Sequence, residues 1–257
     1  MRYSLGVRKS TPRSVAPSSS PSIHADAFYT FVMIFGEWKA FLGLMAVMIV
    51  MAFLVVGLPE EFDGAMGVLF TLIFVMGWLA TIYMLRQKLA GEEVRLRDGL
   101  FKSMAPLIPT LIMLMVVVLE CVPVMATVVV WSSAVETHFL DMPFNALMLI
   151  VFTVAMVLLS GFLLTSSLLA LVAVGTPGIY PVTAILTVRE LVAKKRIKVA
   201  VRIILLLIVV VAMGALVVPF MMLPSSTFLK VASLVVGSFA TIYVATYLYL
   251  YYKELLG

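Results

Sequence analysis

The sequence predicts an all-α membrane protein with six transmembrane helices, and this prediction rests on its composition and on the length of its apolar runs. Of the 257 residues, 63% are hydrophobic and 12% are charged, and the mean hydropathy is +1.17. Soluble domains carry about 25% charged residues, so this chain has too little charge to cover a surface exposed to water. The composition therefore excludes a soluble enzyme, a disordered protein and a nucleic-acid-binding module.

Six apolar runs are long enough to cross the hydrocarbon core of a bilayer, which takes about 20 residues of helix. The predicted spans are Ala40–Leu58, Met66–Leu85, Leu107–Val130, Ala146–Val174, Val201–Leu223 and Leu229–Tyr252. The fourth run is long enough to tilt in the bilayer.

The distribution of basic residues predicts the orientation of the spans. With six spans, every Lys and Arg except Lys230 falls on one side of the membrane. The opposite side carries acidic residues, namely Glu60, Glu61, Asp63, Glu136 and Asp141. Because basic loops stay in the cytoplasm, both termini are predicted to be cytoplasmic.

The first 23 residues differ from the rest of the chain. They are rich in Arg, Ser and Pro and contain no acidic residue. They lack the apolar segment of a secretory signal, and their prolines disfavour the amphipathic helix of a transit peptide. Residues 1–23 are therefore predicted to be a disordered basic cytoplasmic tail, followed by a membrane domain over residues 24–257.

A short segment with helical character precedes each odd-numbered span. The first two segments start at Asp26 and Asp98, residues that favour the helix N-cap position, and the third starts at Pro181, favoured as a first helical residue. The chain is thus predicted to contain three units, each an interfacial helix followed by two spans. Residue identity between the units is low, so the repeat is one of element types.

The third segment, Val182–Val199, is predicted to be an amphipathic helix with a basic side. Its candidate lipid-headgroup ligands are Arg189, Lys194, Lys195, Arg196 and Lys198. Such a helix is suited to lie along an anionic leaflet, where each cation contributes about 1 kcal/mol of attraction. The alternative is an ordinary basic loop with helical propensity. A membrane-protein partner is a second candidate for contact with the cytoplasmic basic helices.

Two segments carry a resemblance to a known family. The first is Gly36-Glu37-Trp38-Lys39-Ala40-Phe41, and the second is Gly175–Pro181 followed by Lys194-Lys195-Arg196. The chain resembles the six-span membrane domain attached to bacterial glycerophosphoryl diester phosphodiesterases and its stand-alone relatives of unknown function. The resemblance implies an α-helical protein of the bacterial inner membrane with no established chemistry of its own. The phosphodiesterase domain has no counterpart here, so no hydrolase activity is inferred.

Glu120 is an acidic residue in the middle of the third predicted span. A charged side chain there costs about 2.5–3.5 kcal/mol on insertion scales, so Glu120 should face the bundle, be protonated, or accept a hydrogen bond from a neighbouring hydroxyl. The candidate donors are Thr127, Thr153 and Ser160. Glu120 is either a neutral residue that joins two helices or a carrier of a proton, a cation or a polar ligand. The second reading makes a small transporter or channel subunit the alternative function.

Catalytic and metal-binding patterns are scarce in this sequence. Cys121 is the only cysteine, and His24 and His138 have no zinc-type partner at helical spacing. His138 lies near Glu136 and Asp141, where a solvated acidic loop is the better reading. With no phosphate-binding loop and no pair of nucleophile and base, the sequence predicts no enzyme, no metal and no cofactor.

The sixth span carries two further patterns. Small residues recur every four positions at Ser233, Gly237, Thr241 and Ala245, a spacing that predicts a close helix–helix contact. Tyrosines crowd its cytoplasmic half, at Tyr243, Tyr247, Tyr249, Tyr251 and Tyr252. Tyrosine is enriched where a helix meets the lipid headgroups, so these residues are predicted to form an interfacial belt.

Overall fold

The computed structural model describes residues 23–137, 143–176, 178–215 and 226–256. Within these ranges the chain is 89% helical and contains no strand. Six of the helices described are long and apolar enough to cross a membrane. The predicted all-α class with six membrane-length helices is therefore confirmed.

Nine α-helices and one 3-10 turn, Glu60–Phe62, make up the described part of the fold. Six helices are of membrane length: α2 (Trp38–Val56), α3 (Asp63–Leu89), α5 (Leu107–Glu136), α6 (Pro143–Val174), α8 (Arg196–Ala215) and α9 (Ser226–Leu256). Three are short: α1 (Ile23–Gly36), α4 (Leu96–Lys102) and α7 (Pro181–Ala193).

Most long helices extend beyond the apolar runs from which they were predicted. α3 continues through Arg86 and Lys88 to Leu89, and α5 continues to Glu136. Hydropathy detects only the part of a helix that sits in hydrocarbon, whereas backbone hydrogen bonds continue past that limit. The helix of the fifth predicted span is α8. It begins at Arg196, five residues before the predicted start, and the predicted end at Leu223 lies outside the described residues.

The predicted order of one short helix followed by two long helices occurs three times along the chain. Pro181 is the first residue of α7, as predicted. The two predicted aspartate caps are wrong, because α1 begins at Ile23 and α4 at Leu96, which places Asp26 and Asp98 inside their helices. Asp98 instead accepts a hydrogen bond from Lys102 Nζ at 3.2 Å, and this bond raises the pKa of Lys102.

The basic segment Val182–Val199 is not one helix, and this prediction is wrong. α7 ends at Ala193, Lys194 and Lys195 form a turn, and α8 begins at Arg196. One face of α7 is buried against the bundle through Ala184, Val188 and Val192. Arg196 and Lys198 therefore belong to the first turn of a long helix.

The three units pack in a cyclic pattern. Each short helix packs on the second long helix of the preceding unit: α4 on α3, α7 on α6, and α1 on α9. Each first long helix lies between its own partner and the preceding unit: α2 between α3 and α9, α5 between α6 and α3, and α8 between α9 and α6. The repeat predicted from element types is therefore also a repeat of packing.

The tyrosines of α9 are buried among helices and do not form an interfacial belt. All five have 9% or less of their surface exposed. The ring of Phe31 in α1 packs at a tilt of 45° against Tyr243, with ring centroids 5.1 Å apart, and Tyr247 and Tyr251 continue the row of rings one turn at a time. Their spacing along one helix face, combined with the packing of α1 on α9, places these rings in the core.

Candidate functional site

The basic end of the bundle is the end where α1, α3 and α9 finish and α2 and α8 begin. Lys88 near the end of α3 lies 3.8 Å from Glu37 Oε1 and donates from Nζ to the Met33 carbonyl at 3.1 Å. A cation is favourable at this carbonyl because it belongs to the last turn of α1. A Cβ added to Gly36 would lie 2.6 Å from Lys88 Nζ, so the glycine of the Gly36-Glu37-Trp38 segment makes room for this contact.

Arg202 and Glu254 join the start of α8 to the end of α9. The guanidinium donates to both carboxylate oxygens, at 2.7 Å from Nη1 and 3.2 Å from Nη2, and it lies 4.4 Å from the ring centre of Tyr251. The Arg202 side chain is 10% exposed. From the sequence, Arg202 was expected only to be one of the cytoplasmic basic residues, so this pair was not predicted. Two features of the sequence could have indicated the pair: Arg202 lies within the fifth apolar run, and Glu254 lies just after the sixth.

A polar cleft of about 640 Å³ opens where the second long helices of the three units end. Its lining includes Arg86 of α3, Thr176 after α6, and Tyr249 and Lys253 of α9. Helix C-termini carry partial negative charge, which the two cations offset. The charges of Arg86 and Lys253 are therefore partly balanced by the ends of the helices that carry them.

The basic corner is the junction of α7 and α8, with the cations Arg189, Lys194, Lys195, Arg196 and Lys198. All are exposed except Arg196, which is half-buried and stacks over the ring of Phe162 at 4.3 Å. Among the described residues, no acidic side chain lies within ion-pair distance of any of them. The corner also contains the N-terminus of α8, whose free amide groups carry partial positive charge. Side chains and backbone thus favour an anion at the same place.

Glu120 forms a hydrogen bond between α5 and α6, but its donor is not one of the three predicted. Ser167 Oγ donates to Glu120 Oε1 at 2.7 Å. Thr127 donates to the backbone of its own helix, Thr153 accepts from Trp131 Nε1 at 2.8 Å, and Ser160 has no hydrogen-bond partner among the described residues. The sequence predicted a hydroxyl donor on α5 or α6 but not the residue that donates, because that depends on how α5 and α6 are aligned.

The other oxygen of Glu120, Oε2, is buried and has no hydrogen-bond partner in the described part of the chain. Glu120 does not line the polar cleft. Its bond to Ser167 links α5 to α6, and a role of Glu120 in transport stays an untested alternative.

The small residues of α9 occupy a changing environment along the helix. Ser233 is exposed, Gly237 faces Phe74 of α3, Thr241 is half-buried, and Ala245 is fully buried. The end of this row of small residues that is nearer the basic end of the bundle therefore lies inside the bundle, whereas Ser233, at the other end of the row, lies at the surface of the bundle.

No group of three or more His, Cys, Asp or Glu residues suited to a metal ion occurs among the residues described. Of the acidic loop around His138, the residues His138 and Asp141 lie outside the described ranges, and Glu136 is exposed at the end of α5.

The resemblance to the membrane domain of the phosphodiesterase family remains a prediction. No family model, no curated protein and no solved structure matches this chain.

Proposed function

We propose that this chain is a non-enzymatic integral membrane protein that binds anionic lipid headgroups at the basic corner between α7 and α8. The supporting observation is the set of cations around the N-terminus of α8 that have no acidic partner in the described residues. Anionic groups are favoured at helix N-termini, and each nearby Lys or Arg adds about 1 kcal/mol of attraction to an anionic leaflet.

The basic corner suits this role better than the other basic features of the same end. Lys88 and Arg202 are held by Glu37 and Glu254. Four of the five corner cations are exposed, and none of the five has an acidic partner among the described residues. Burial of Ala184, Val188 and Val192 fixes α7 against the bundle and so holds this charge beside the long helices.

The proposal is tested by measuring which lipids the protein immobilises. The full chain is reconstituted in phosphatidylcholine bilayers with spin-labelled phosphatidylglycerol or phosphatidylcholine, and electron paramagnetic resonance gives the fraction of motionally restricted lipid. We expect a preference for phosphatidylglycerol that decreases with added salt. Replacing Lys194, Lys195, Arg196 and Lys198 with Gln should reduce the relative association constant by at least about fivefold.

A control variant removes the same number of exposed cations elsewhere at the basic end. It replaces Lys39, Arg95, Arg97 and Lys102 with Gln, all of which are exposed. This variant should keep most of the preference. An equal loss in both variants would mean that overall charge, and not the corner, attracts the lipid, and it would overturn the assignment of the site.

A further inference from the structure

A second, largely apolar cavity of about 470 Å³ lies between the long helices. Five of the six membrane-length helices border it: α3, α5, α6, α8 and α9. Most of its lining is apolar and includes Phe70, Phe74, Leu114 and Leu171. Its volume falls in the range of sites that bind small molecules, about 300–1,000 Å³.

Four residues in the lining of this cavity carry polar side-chain atoms, and they fall into two classes. Thr71 and Thr241 donate to carbonyls of their own helices, Gly67 at 2.8 Å and Gly237 at 2.9 Å. Trp78 Nε1 and Thr110 Oγ1 are buried and have no hydrogen-bond partner among the described residues. Thr110 is 1% exposed, so its hydroxyl is closed to bulk water.

The unpaired state of Trp78 and Thr110 indicates the chemistry of the missing partner. A hydrocarbon environment supplies no water to satisfy a buried donor. An indole N–H is a donor only, while a hydroxyl both donates and accepts. The group that satisfies both is an oxygen acceptor, and the surrounding cavity requires that it be attached to hydrocarbon.

We propose that this cavity binds one acyl chain of a membrane glycerolipid, with the ester carbonyl accepting hydrogen bonds from Trp78 and Thr110. The bilayer around the five helices supplies such chains at high concentration. The apolar lining holds the chain, and the two donors select for the carbonyl. This site is separate from the basic corner, so it does not depend on the charge of the headgroup.

The test compares two lipids that differ only in the carbonyl. The full chain, labelled with 5-fluorotryptophan, is titrated in detergent micelles with a diester or a diether phosphatidylcholine of equal chain length, and 19F NMR follows Trp38, Trp78 and Trp131. We expect a saturable shift of the Trp78 resonance with the diester lipid and at least fivefold weaker apparent binding of the diether lipid. Trp131 is an internal control because its N–H already donates to Thr153.

Matched variants separate recognition from folding. Thr110→Val removes the unpaired hydroxyl and should reduce the preference for the ester, whereas Thr241→Val removes a hydroxyl that is already bonded and should preserve it. Ala240→Phe fills the cavity and should abolish the Trp78 shift, while an unchanged Trp131 resonance reports an intact fold.

Two results would overturn the proposal. The first is an equal response of Trp78 to diester and diether lipid. The second is an equal effect of Thr110→Val and Thr241→Val on the preference. A free fatty acid that saturates the Trp78 shift at lower concentration than the diester lipid would contradict the glycerolipid and assign the cavity to the free acid.

Discussion

At the residue scale, Glu120 and Ser167 form a hydrogen bond between two helices of membrane length. Hydrogen bonds between membrane helices contribute about 0.6 kcal/mol on average and up to about 1.7 kcal/mol. The adjacent serine provides a direct comparison, because Ser166 Oγ donates to the Leu163 carbonyl of its own helix at 3.0 Å. Ser167 Oγ also lies 3.4 Å from the Leu163 carbonyl, but its shorter contact, to Glu120, crosses to the other helix.

We expect Ser167→Ala to lower the free energy of unfolding by about 1 kcal/mol, because it removes the donor to Glu120. Ser166→Ala should have a smaller effect, since it removes only a bond within α6. Glu120→Gln should retain most of the stability because the amide oxygen still accepts from Ser167. Reversible unfolding in mixed micelles measures all three changes.

Equal losses in the two serine variants would contradict a bond between α5 and α6. Proton or cation flux in reconstituted vesicles that is lost in Glu120→Gln would contradict a purely structural role and support the transporter alternative.

The residue scale also shows what the sequence can and cannot predict about the candidate site. The cost of an acid in hydrocarbon predicts that Glu120 has a hydrogen-bond partner, and it has one. Which hydroxyl donates to Glu120 depends on the alignment of α5 with α6. Nothing in the sequence of either helix indicates that alignment, so Ser167 was not predicted. Trp78 and Thr110 were missed for the same reason, since each is an ordinary residue until five helices surround a common cavity.

At the element scale, the pair of Arg202 and Glu254 fixes the beginning of α8 to the end of α9. The Arg202 side chain is 10% exposed and that of Glu254 is 33% exposed, so the pair is partly shielded from water. Loss of one partner from a buried pair leaves a charge without compensation, which is more costly than loss of an exposed pair. Arg95 and Glu93 form an exposed pair for comparison, with side chains 70% and 81% exposed.

We expect Arg202→Gln or Glu254→Gln to lower the free energy of unfolding by about 2 kcal/mol, below the range for fully buried pairs because Glu254 is partly solvated. A double-mutant cycle over both positions should give a coupling energy above about 1 kcal/mol. The same cycle over Arg95 and Glu93 should give a coupling energy of about 0–1 kcal/mol. Coupling of the same size in both cycles would show that burial adds nothing to the first pair.

The order of helices was predictable from the sequence, whereas several of their ends were not. Apolar length indicates a membrane helix because the bilayer sets that length. The turn at Lys194 and Lys195 contains no Gly or Pro to mark it. Basic residues on both sides of this turn suit a helix, so the pattern predicted one continuous helix. The chain instead breaks there because α7 packs on α6 and α8 packs on α9.

At the scale of the whole molecule, the three units form a closed ring of contacts, and residues from all three meet at the basic end. Glu37 and Lys88 belong to the first unit, Thr176 follows the second, and Arg202 and Glu254 belong to the third. The excess of Lys and Arg on this end supports our proposal that it faces the cytoplasm.

The orientation is tested by labelling single cysteines in intact cells with a membrane-impermeant reagent. In a Cys121→Ala background, Arg95→Cys and Lys195→Cys should remain unlabelled until the cells are opened, because both lie at the basic end. Glu61→Cys, which is exposed in the turn between α2 and α3, should be labelled from outside. Labelling of Arg95→Cys and Lys195→Cys on opposite sides of the membrane would contradict the proposed topology.

The packing of α1 on α9 has a consequence for biosynthesis. The ribosome makes α1 well before α9, yet Phe31 of α1 rests on Tyr243 of α9. The helices on which α4 and α7 pack are made before them, whereas α1 has no packing partner of this kind until α9 has been synthesised. Docking of α1 is therefore the step that closes the ring of contacts, and it follows synthesis of α9.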